Sequence, residues 1–166
     1  MTKPVGPVEV RPAEDSDFVA LGPLWSTFYN EQRKLGMQLE LPSEGFALWL
    51  RAMQPGLGRF TCIFVAHRDS EIIGFLAGRV RPLPAYFGGG QVGFISEVFV
   101  SETARGLGVG AKMVSHACAW FASMKASRVE LQVLTGNEPA RRLYKKLGWE
   151  DELVEMTYTF RPDTSG

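Results

Sequence analysis

Residues 92–111 read VGFISEVFVSETARGLGVGA, and this stretch decides the fold. Its first half, residues 92–100, is rich in β-branched and aromatic residues, which is typical of a strand. Its second half carries glycines at positions 106, 108 and 110 and leads into a helix predicted over residues 108–125. Glycines let successive N–H groups point into one concavity, and the helix adds the positive end of its dipole. The stretch therefore predicts a strand, a phosphate-binding turn and a helix in succession.

A second strand and helix follow, over residues 128–134 and 137–147. Two strands joined by a helix in one sheet lie parallel, with a right-handed crossover. Four other segments have strand composition: residues 8–11, 61–67, 71–80 and 153–160. Of these, 61–67 and 71–80 are predicted to form a hairpin. The predicted fold class is therefore α/β with a mixed sheet, in which antiparallel N-terminal strands precede a parallel central pair and helices cover both faces.

Two further helices are predicted in the first third of the chain. Apolar residues recur at helical intervals over residues 18–29, and we expect Gly22-Pro23 to divide this helix into two pieces. A second helix is predicted to begin at Ser43, because the apolar residues of 46–53 repeat at intervals of four and three.

The composition is that of one ordinary globular domain. The chain has 166 residues, 45% of them apolar, and its 18 basic residues balance 18 acidic ones. We expect one domain over residues 8–160, a flexible lead-in over 1–7 and a frayed tail over 161–166. The balanced charge disfavours a nucleic-acid surface, and the longest apolar run, residues 117–122, is far shorter than the ~20 residues of a membrane span.

The small number of cysteines and histidines limits the kinds of site that the chain can form. Cys62 and Cys118 form no CxxC pair, and only His67 and His116 could join them as ligands, so neither a metal site nor a disulfide framework is expected. We expect a reduced, cytoplasmic protein.

The glycine-rich turn fits three phosphate-binding patterns to different degrees. A Walker loop is excluded, because no glycine here is followed by Lys and then Ser or Thr. The dinucleotide pattern G-x-G-x-x-A is met by Gly106, Gly108 and Ala111, so a Rossmann-type dinucleotide-binding protein remains a remote alternative. Against it, residues 101–105 separate the strand from the glycines, and the acidic Glu130 lies in the middle of the next strand rather than at its end.

The third pattern is R-x-x-G-x-G, filled by Arg105, Gly108 and Gly110. With the strand ISEVFV at residues 95–100 and a helix from Asn137 that closes on Leu-Gly-Trp at 147–149, the chain resembles the GNAT superfamily of acyl-CoA N-acyltransferases. The resemblance implies a central pair of parallel strands that splay apart and acetyl-CoA as the cofactor between them. It implies cofactor contacts at twelve positions: Val98, Phe99, Val100, Arg105, Gly106, Leu107, Gly108, Val109, Gly110, Ala111, Asn137 and Tyr144.

The implied reaction transfers an acetyl group to a primary amine of a small molecule or peptide, in a ternary complex with a backbone-polarised thioester. An alkylammonium has a pKa of ~10, so a base must accept its proton, and Glu97 is our candidate. The alternative for Glu97 is a surface or paired carboxylate, and Ser96 stands where many relatives carry a second acid. Tyr144, on the apolar stripe of its helix, is the candidate acid for the leaving thiolate, or else a core tyrosine.

The acceptor site is expected in the first helices and in the loop over residues 81–90, with Tyr29, Tyr86 and Glu97 as candidate contacts. Cys118 lies on a core stripe and is interpreted as packing rather than as a nucleophile. A domain that binds acyl-CoA without catalysis stays open as an alternative. No nucleic-acid or membrane partner is expected, and an exposed edge on the last strand would make a homodimer possible.

Overall fold

The computed structural model describes residues 6–162, which contain a single five-stranded sheet. The strands lie in the order of the chain: β1 Val8–Pro12, β2 Thr61–Arg68, β3 Glu71–Pro82, β4 Gln91–Val100 and β5 Ala126–Leu131. β1 to β4 are antiparallel, and β4 pairs with β5 in parallel. The hairpin, the parallel pair and the mixed sheet predicted from the sequence are confirmed.

Helices cover both faces of the sheet, as predicted. The four α-helices are α1 Phe18–Lys34, α2 Gly45–Met53, α3 Val109–Ser123 and α4 Glu138–Lys146, all within the described part of the chain. Apolar side chains of α1 and α2 form one core with the sheet, around Phe28, Phe75 and Phe99. Apolar side chains of α3 form the other core, around Leu76 and Phe121.

A β-bulge in β4 decides which residues face each core. Glu97 pairs with Ala77, but Ile95 pairs with the next residue of β3, so Ser96 is the extra residue. Ile95 consequently packs with α3, whereas Phe99 packs with α1 and α2. Without the bulge, residues 95, 97 and 99 would share one face.

The parallel pair separates at the end of β5. β4 and β5 are paired from Gln91 opposite Ala126 to Ile95 opposite Leu131. β3 stays paired with β4 as far as Val100. From the bulge onward, the β4 edge that faces β5 therefore has no strand partner among residues 6–162, and a cleft opens there.

The predicted break at Gly22-Pro23 is wrong, because α1 runs through Pro23 without interruption. A proline inside a helix leaves the carbonyl four residues earlier without its usual donor. That residue is Val19, which is 87% exposed, so water can hydrogen-bond its carbonyl in place of the missing N–H.

The predicted last strand is also wrong. Residues 151–162 form neither helix nor strand, and they lie beside β5 through side-chain contacts alone, from Glu152 to Arg128 and from Glu155 to Gln132. The segment has the alternating pattern of a strand, but β5 ends at Leu131 and the pattern finds no backbone partner in the described chain. Residues 1–5 of the predicted lead-in and 163–166 of the predicted tail lie outside the described residues. No helix over residues 6–162 has the length and apolar character that a bilayer crossing needs.

Candidate active site in the cleft between β4 and β5

The cleft gathers polar groups from four parts of the chain. It is lined from α1, β4, the end of β5 and α4, by Phe28, Gln32, Ile95, Ser96, Glu97, Val98, Leu131, Gln132, Val133, Asn137, Ala140 and Tyr144. Five of the residues predicted from the sequence come together here from distant parts of the chain. Four of them line the cleft: Glu97, Val98, Asn137 and Tyr144. The fifth, Tyr29, hydrogen-bonds to Glu97 from α1.

Glu97 is a buried carboxylate with three hydrogen-bond donors. Its residue is only 3% exposed. The Tyr29 hydroxyl donates to Oε1 at 2.6 Å, and the Trp49 indole N–H donates to the same oxygen at 3.2 Å. The Ser96 hydroxyl donates to Oε2. Burial raises the pKa of Glu97, while these three hydrogen bonds and the positive charge of Arg79 oppose that shift.

Aromatic packing fixes the two ring donors. The Tyr29 ring lies 4.6 Å from Trp25, and Trp25 lies 6.2 Å from Trp49, measured between ring centroids. Trp49 was not among the sequence candidates. Its position three residues after Phe46 and four before Met53 places it on the inner stripe of α2, and a tryptophan on such a stripe needs an acceptor for its N–H.

Tyr144 is half-buried on the inner face of α4, where its ring centroid lies 5.8 Å from that of Trp149. Burial raises the pKa of Tyr144 to about 12, so the phenol stays protonated at neutral pH. Its hydroxyl has no hydrogen-bond partner among residues 6–162, which leaves it free to donate into the cleft.

The glycine-rich turn leaves a row of backbone N–H groups without acceptors. Gly106 and Gly108 have φ of 76° and 77°, and nothing lies within 4 Å of where a Cβ would stand on either. Gly108 is the N-cap of α3, whose first turn is Val109, Gly110 and Ala111. Within the described chain, the six N–H groups of residues 106–111 have no hydrogen-bond acceptor. Leu107 is exposed.

Arg105 ties this turn to the rest of the molecule. Its Nε donates to the Val100 carbonyl at 2.9 Å, and its Nη2 donates to both carboxylate oxygens of Glu31 at 2.9 Å. The end of β4, the turn and the C-terminal part of α1 are thereby joined. The partner on α1, Glu31, could not be identified from the local pattern of the turn.

The remaining candidates take separate places. Asn137 is the N-cap of α4, as predicted, and its Oδ1 accepts from the Ala140 N–H at 3.3 Å. Tyr86 is 82% exposed in a short 3-10 turn and does not line the cleft. Burial raises the pKa of the Cys118 thiol, which makes it a poor nucleophile. No cluster of metal-ligating side chains occurs within residues 6–162.

The splayed parallel pair, the glycine-rich turn at a helix N-terminus and the cleft between them are the arrangement that the resemblance to acyl-CoA N-acyltransferases implies. A family model described as Acetyltransferase (GNAT) family matches residues 24–149. The chain belongs to this family.

Individual relatives cover different parts of the chain. A mycothiol acetyltransferase of Thermomonospora curvata is 32% identical over 100 residues, which are 60% of this chain and 31% of that protein. An N-alpha-acetyltransferase of Sulfurisphaera tokodaii is 34% identical over 109 residues, 57% of this chain and 60% of that protein. This chain thus spans less than two thirds of these relatives' length.

The fold has close counterparts among solved structures. The aminoglycoside N-acetyltransferase AAC(6')-Iy in complex with CoA matches with a TM-score of 0.77 at 15% identity, over 98% of this chain and 99% of that chain. At this identity the match concerns the fold alone, and it agrees with the predicted fold class.

Proposed function

We propose that the protein is an N-acetyltransferase that moves an acetyl group from acetyl-CoA to a primary amine by direct attack in a ternary complex. One observation carries the proposal: a buried carboxylate, Glu97, and a protonated phenol, Tyr144, line the same cleft, and the β4 strand that forms one side of it leads into a turn with six free N–H groups. Direct transfer between amine and thioester needs a proton acceptor, a proton donor and an anion site together.

The residues of the turn fit a pyrophosphate. Six N–H groups without acceptors, two glycines with open space above them and the N-terminus of α3 all favour a bound anion. Residues 106–111 would hold the phosphates, and Asn137 would contact the cofactor from α4. When bound, acetyl-CoA supplies the activated acetyl thioester.

The open edge of β4 supplies further donors. The Ser101 N–H donates to the Ile73 carbonyl on β3 at 2.8 Å. Backbone N–H groups alternate sides along a strand, so those of Val98 and Val100 point toward the cleft and that of Phe99 points toward β3. In this proposal Val98 and Val100 bind the pantetheine arm, and one of their N–H groups polarises the thioester carbonyl.

Three proton transfers complete the reaction. Glu97 would accept a proton from the acceptor ammonium, which frees the nitrogen lone pair to form the C–N bond. As the C–S bond breaks, the Tyr144 hydroxyl would donate its proton to the departing sulfur. The attached nitrogen still carries one proton more than an amide, and it would return that proton to the Tyr144 phenolate. Because burial raises the pKa of Glu97 and keeps Tyr144 protonated, both groups suit these roles near neutral pH.

The acceptor is proposed to be a small molecule or peptide with a primary amine. It would enter along α1 and the segment after it, where Tyr29 and Glu97 meet, with Tyr86 on the exposed 81–90 loop as a possible contact. The relatives are named after different acceptors, so their names do not identify one kind of amine as the acceptor of this chain.

Thermal unfolding with acetyl-CoA, CoA and NAD, followed by amine-dependent thiol release, tests the proposal. A ligand at ~100 times its Kd adds about 2.7 kcal/mol to stability. Stabilisation by both CoA forms together with turnover supports it. Stabilisation by NAD, or by none of the three, contradicts it, and CoA binding without turnover on any amine would support the non-catalytic acyl-CoA-binding alternative.

We also propose that the chain forms a homodimer through residues 151–162. Val154, Met156, Tyr158 and Phe160 alternate along this extended segment and are 83–90% exposed. The intervening Thr159 hydroxyl donates to Gln38 of the same chain at 3.3 Å, so the segment contacts its own chain while these apolar side chains remain exposed. A second copy offers a matching apolar face, and with formal net charge +0 two copies do not repel.

A further inference from the structure

We propose that Tyr29 and Trp49 are positioning residues that occupy Oε1 of Glu97, and that Ser96 is a hydroxyl switch that makes Oε2 the proton-accepting oxygen. This inference rests on the proposed function, because it assigns the atom at which the amine proton is taken up. It gives Tyr29, Trp49 and Ser96 roles that the resemblance to the GNAT superfamily did not imply.

The first step is a count of lone pairs on the carboxylate. An ionised carboxylate has about four acceptor positions, two on each oxygen. Tyr29 and Trp49 both donate to Oε1, so this oxygen has no position left. Ser96 occupies one position on Oε2, and among the donors of residues 6–162 none takes the other, which is open to an incoming proton donor.

The second step concerns the Ser96 hydroxyl, which has two acceptors within reach but one proton. It donates to Oε2 of Glu97, and its oxygen also lies 3.3 Å from the Ala77 carbonyl on β3. Once Oε2 is protonated at its open position, rotation about the C–Oε2 bond lets the new O–H donate to the Ser96 oxygen while the Ser96 proton turns to the Ala77 carbonyl. These two rotations satisfy the hydrogen bonds of both protonation states.

The β-bulge makes this switch possible. Ser96 is the extra residue of β4, so it stands beside Glu97 rather than on the opposite face of a regular strand. The chain thus carries a neutral hydroxyl in contact with Glu97, where a second acid would add repulsion.

Three charged or titratable groups of the described chain lie around Glu97. Tyr29 from α1 and Arg79 from β3 act on Glu97 directly, and Tyr144 from α4 lines the same cleft. Arg79 directs Nη2 to the Met53 sulfur at 3.8 Å rather than to the carboxylate. Arg79 therefore stabilises the ionised Glu97 through its charge alone, whereas the hydrogen bonds from Tyr29, Trp49 and Ser96 determine which carboxylate positions are occupied.

The test compares pH profiles of kcat/KM for three variants. Tyr29→Phe keeps the ring contacts and removes only the donor, and Trp49→Phe removes the second donor to Oε1. A hydrogen bond to a charged group corresponds to about 1 to 2 pH units, so each variant should move the acidic limb upward by about that amount. Ser96→Ala should move it less, because Ser96 stabilises both protonation states, while lowering kcat.

A matched control lies away from the cleft, Ser70→Ala in the β2–β3 turn, and it should leave the profile unchanged. An acidic limb that stays in place in Tyr29→Phe and Trp49→Phe would overturn the positioning role. A shift in Ser96→Ala as large as that in Tyr29→Phe would overturn the switch, because Ser96 would then be a donor only.

A second readout does not depend on acetyl transfer. The Trp49 indole N–H contacts the titrating carboxylate, so tryptophan fluorescence should show a pH transition that disappears in both Glu97→Gln and Trp49→Phe. If this transition is present but no amine is acetylated, the proposed function fails while the contact stands. If wild-type protein shows no such transition, or if the transition persists in Glu97→Gln, the proposed contact between Trp49 and the titrating carboxylate is wrong.

Discussion

Replacing Glu97 by glutamine should stabilise the protein increasingly as the pH rises. Glutamine has nearly the same shape, its carbonyl can accept from Tyr29 and Trp49, and its NH₂ group can donate to Ser96. The substitution therefore removes a buried charge and keeps the hydrogen bonds. Only the ionisation of residue 97 then distinguishes the two proteins.

The sign follows from the direction of the pKa shift. Burial raises the pKa of Glu97 above 4.5, its value in an unfolded chain. The contribution of Glu97 to the free energy of unfolding is therefore fully present below pH 4.5 and is lost as the pH rises through the folded-state pKa. The variant has no such loss, so its advantage grows by up to about 1.4 kcal/mol for each pH unit in that window and then becomes constant.

Denaturant unfolding of both proteins at a series of pH values from 4 to 9 measures this difference. Asp17→Asn is a control that should show a constant difference over this range, because the hydrogen bond from Arg11 lowers the pKa of Asp17. The stabilisation by ionised Asp17 is fully present above pH 3.8 and is lost only as the pH falls below that value. A Glu97→Gln difference that is independent of pH, or that shrinks as the pH rises, would refute the reasoning.

Four other predictions concern the cleft, the turn and the tail. Tyr144→Phe should lower kcat by about 10² to 10⁴-fold with little change in acetyl-CoA affinity, and equal losses in both would contradict the acid role. Gly108→Ala should cost about 1–2 kcal/mol, because its φ of 77° is unfavourable for alanine, and should weaken CoA binding measured by calorimetry. Cys118→Ala should keep its turnover, and a folded but inactive variant would favour a covalent route. Met156→Asp should shift the mass measured by light scattering from dimer toward monomer, and an unchanged dimer would place the interface elsewhere.

The sequence was sufficient where local pattern decides structure. The glycine-rich turn, the parallel pair around it and the capping role of Asn137 were predictable, because strand composition, positive-φ positions and N-caps depend on neighbouring residues. Glu97 could be proposed because of the resemblance to the GNAT superfamily. Its surroundings could not, because Tyr29 and Trp49 lie 68 and 48 positions away along the chain.

The two wrong predictions share a cause in the surroundings of a segment. Pro23 is a helix breaker by its own chemistry, but an exposed Val19 carbonyl lets α1 continue through it. Residues 153–160 alternate as a strand does, but a strand also needs a neighbouring backbone, and β5 ends at Leu131. In both cases the local pattern was interpreted correctly and the tertiary environment decided otherwise.

The central claim is amine-dependent acetyl transfer in the cleft that Glu97 and Tyr144 line. Its most direct test is release of free CoA thiol from acetyl-CoA, with a panel of primary amines, by wild-type protein and by folded Glu97→Gln. The account predicts release that requires both an amine and Glu97, with the variant slower by at least about 10²-fold. Release at the same rate from both proteins, or none from wild type with any amine, would contradict it.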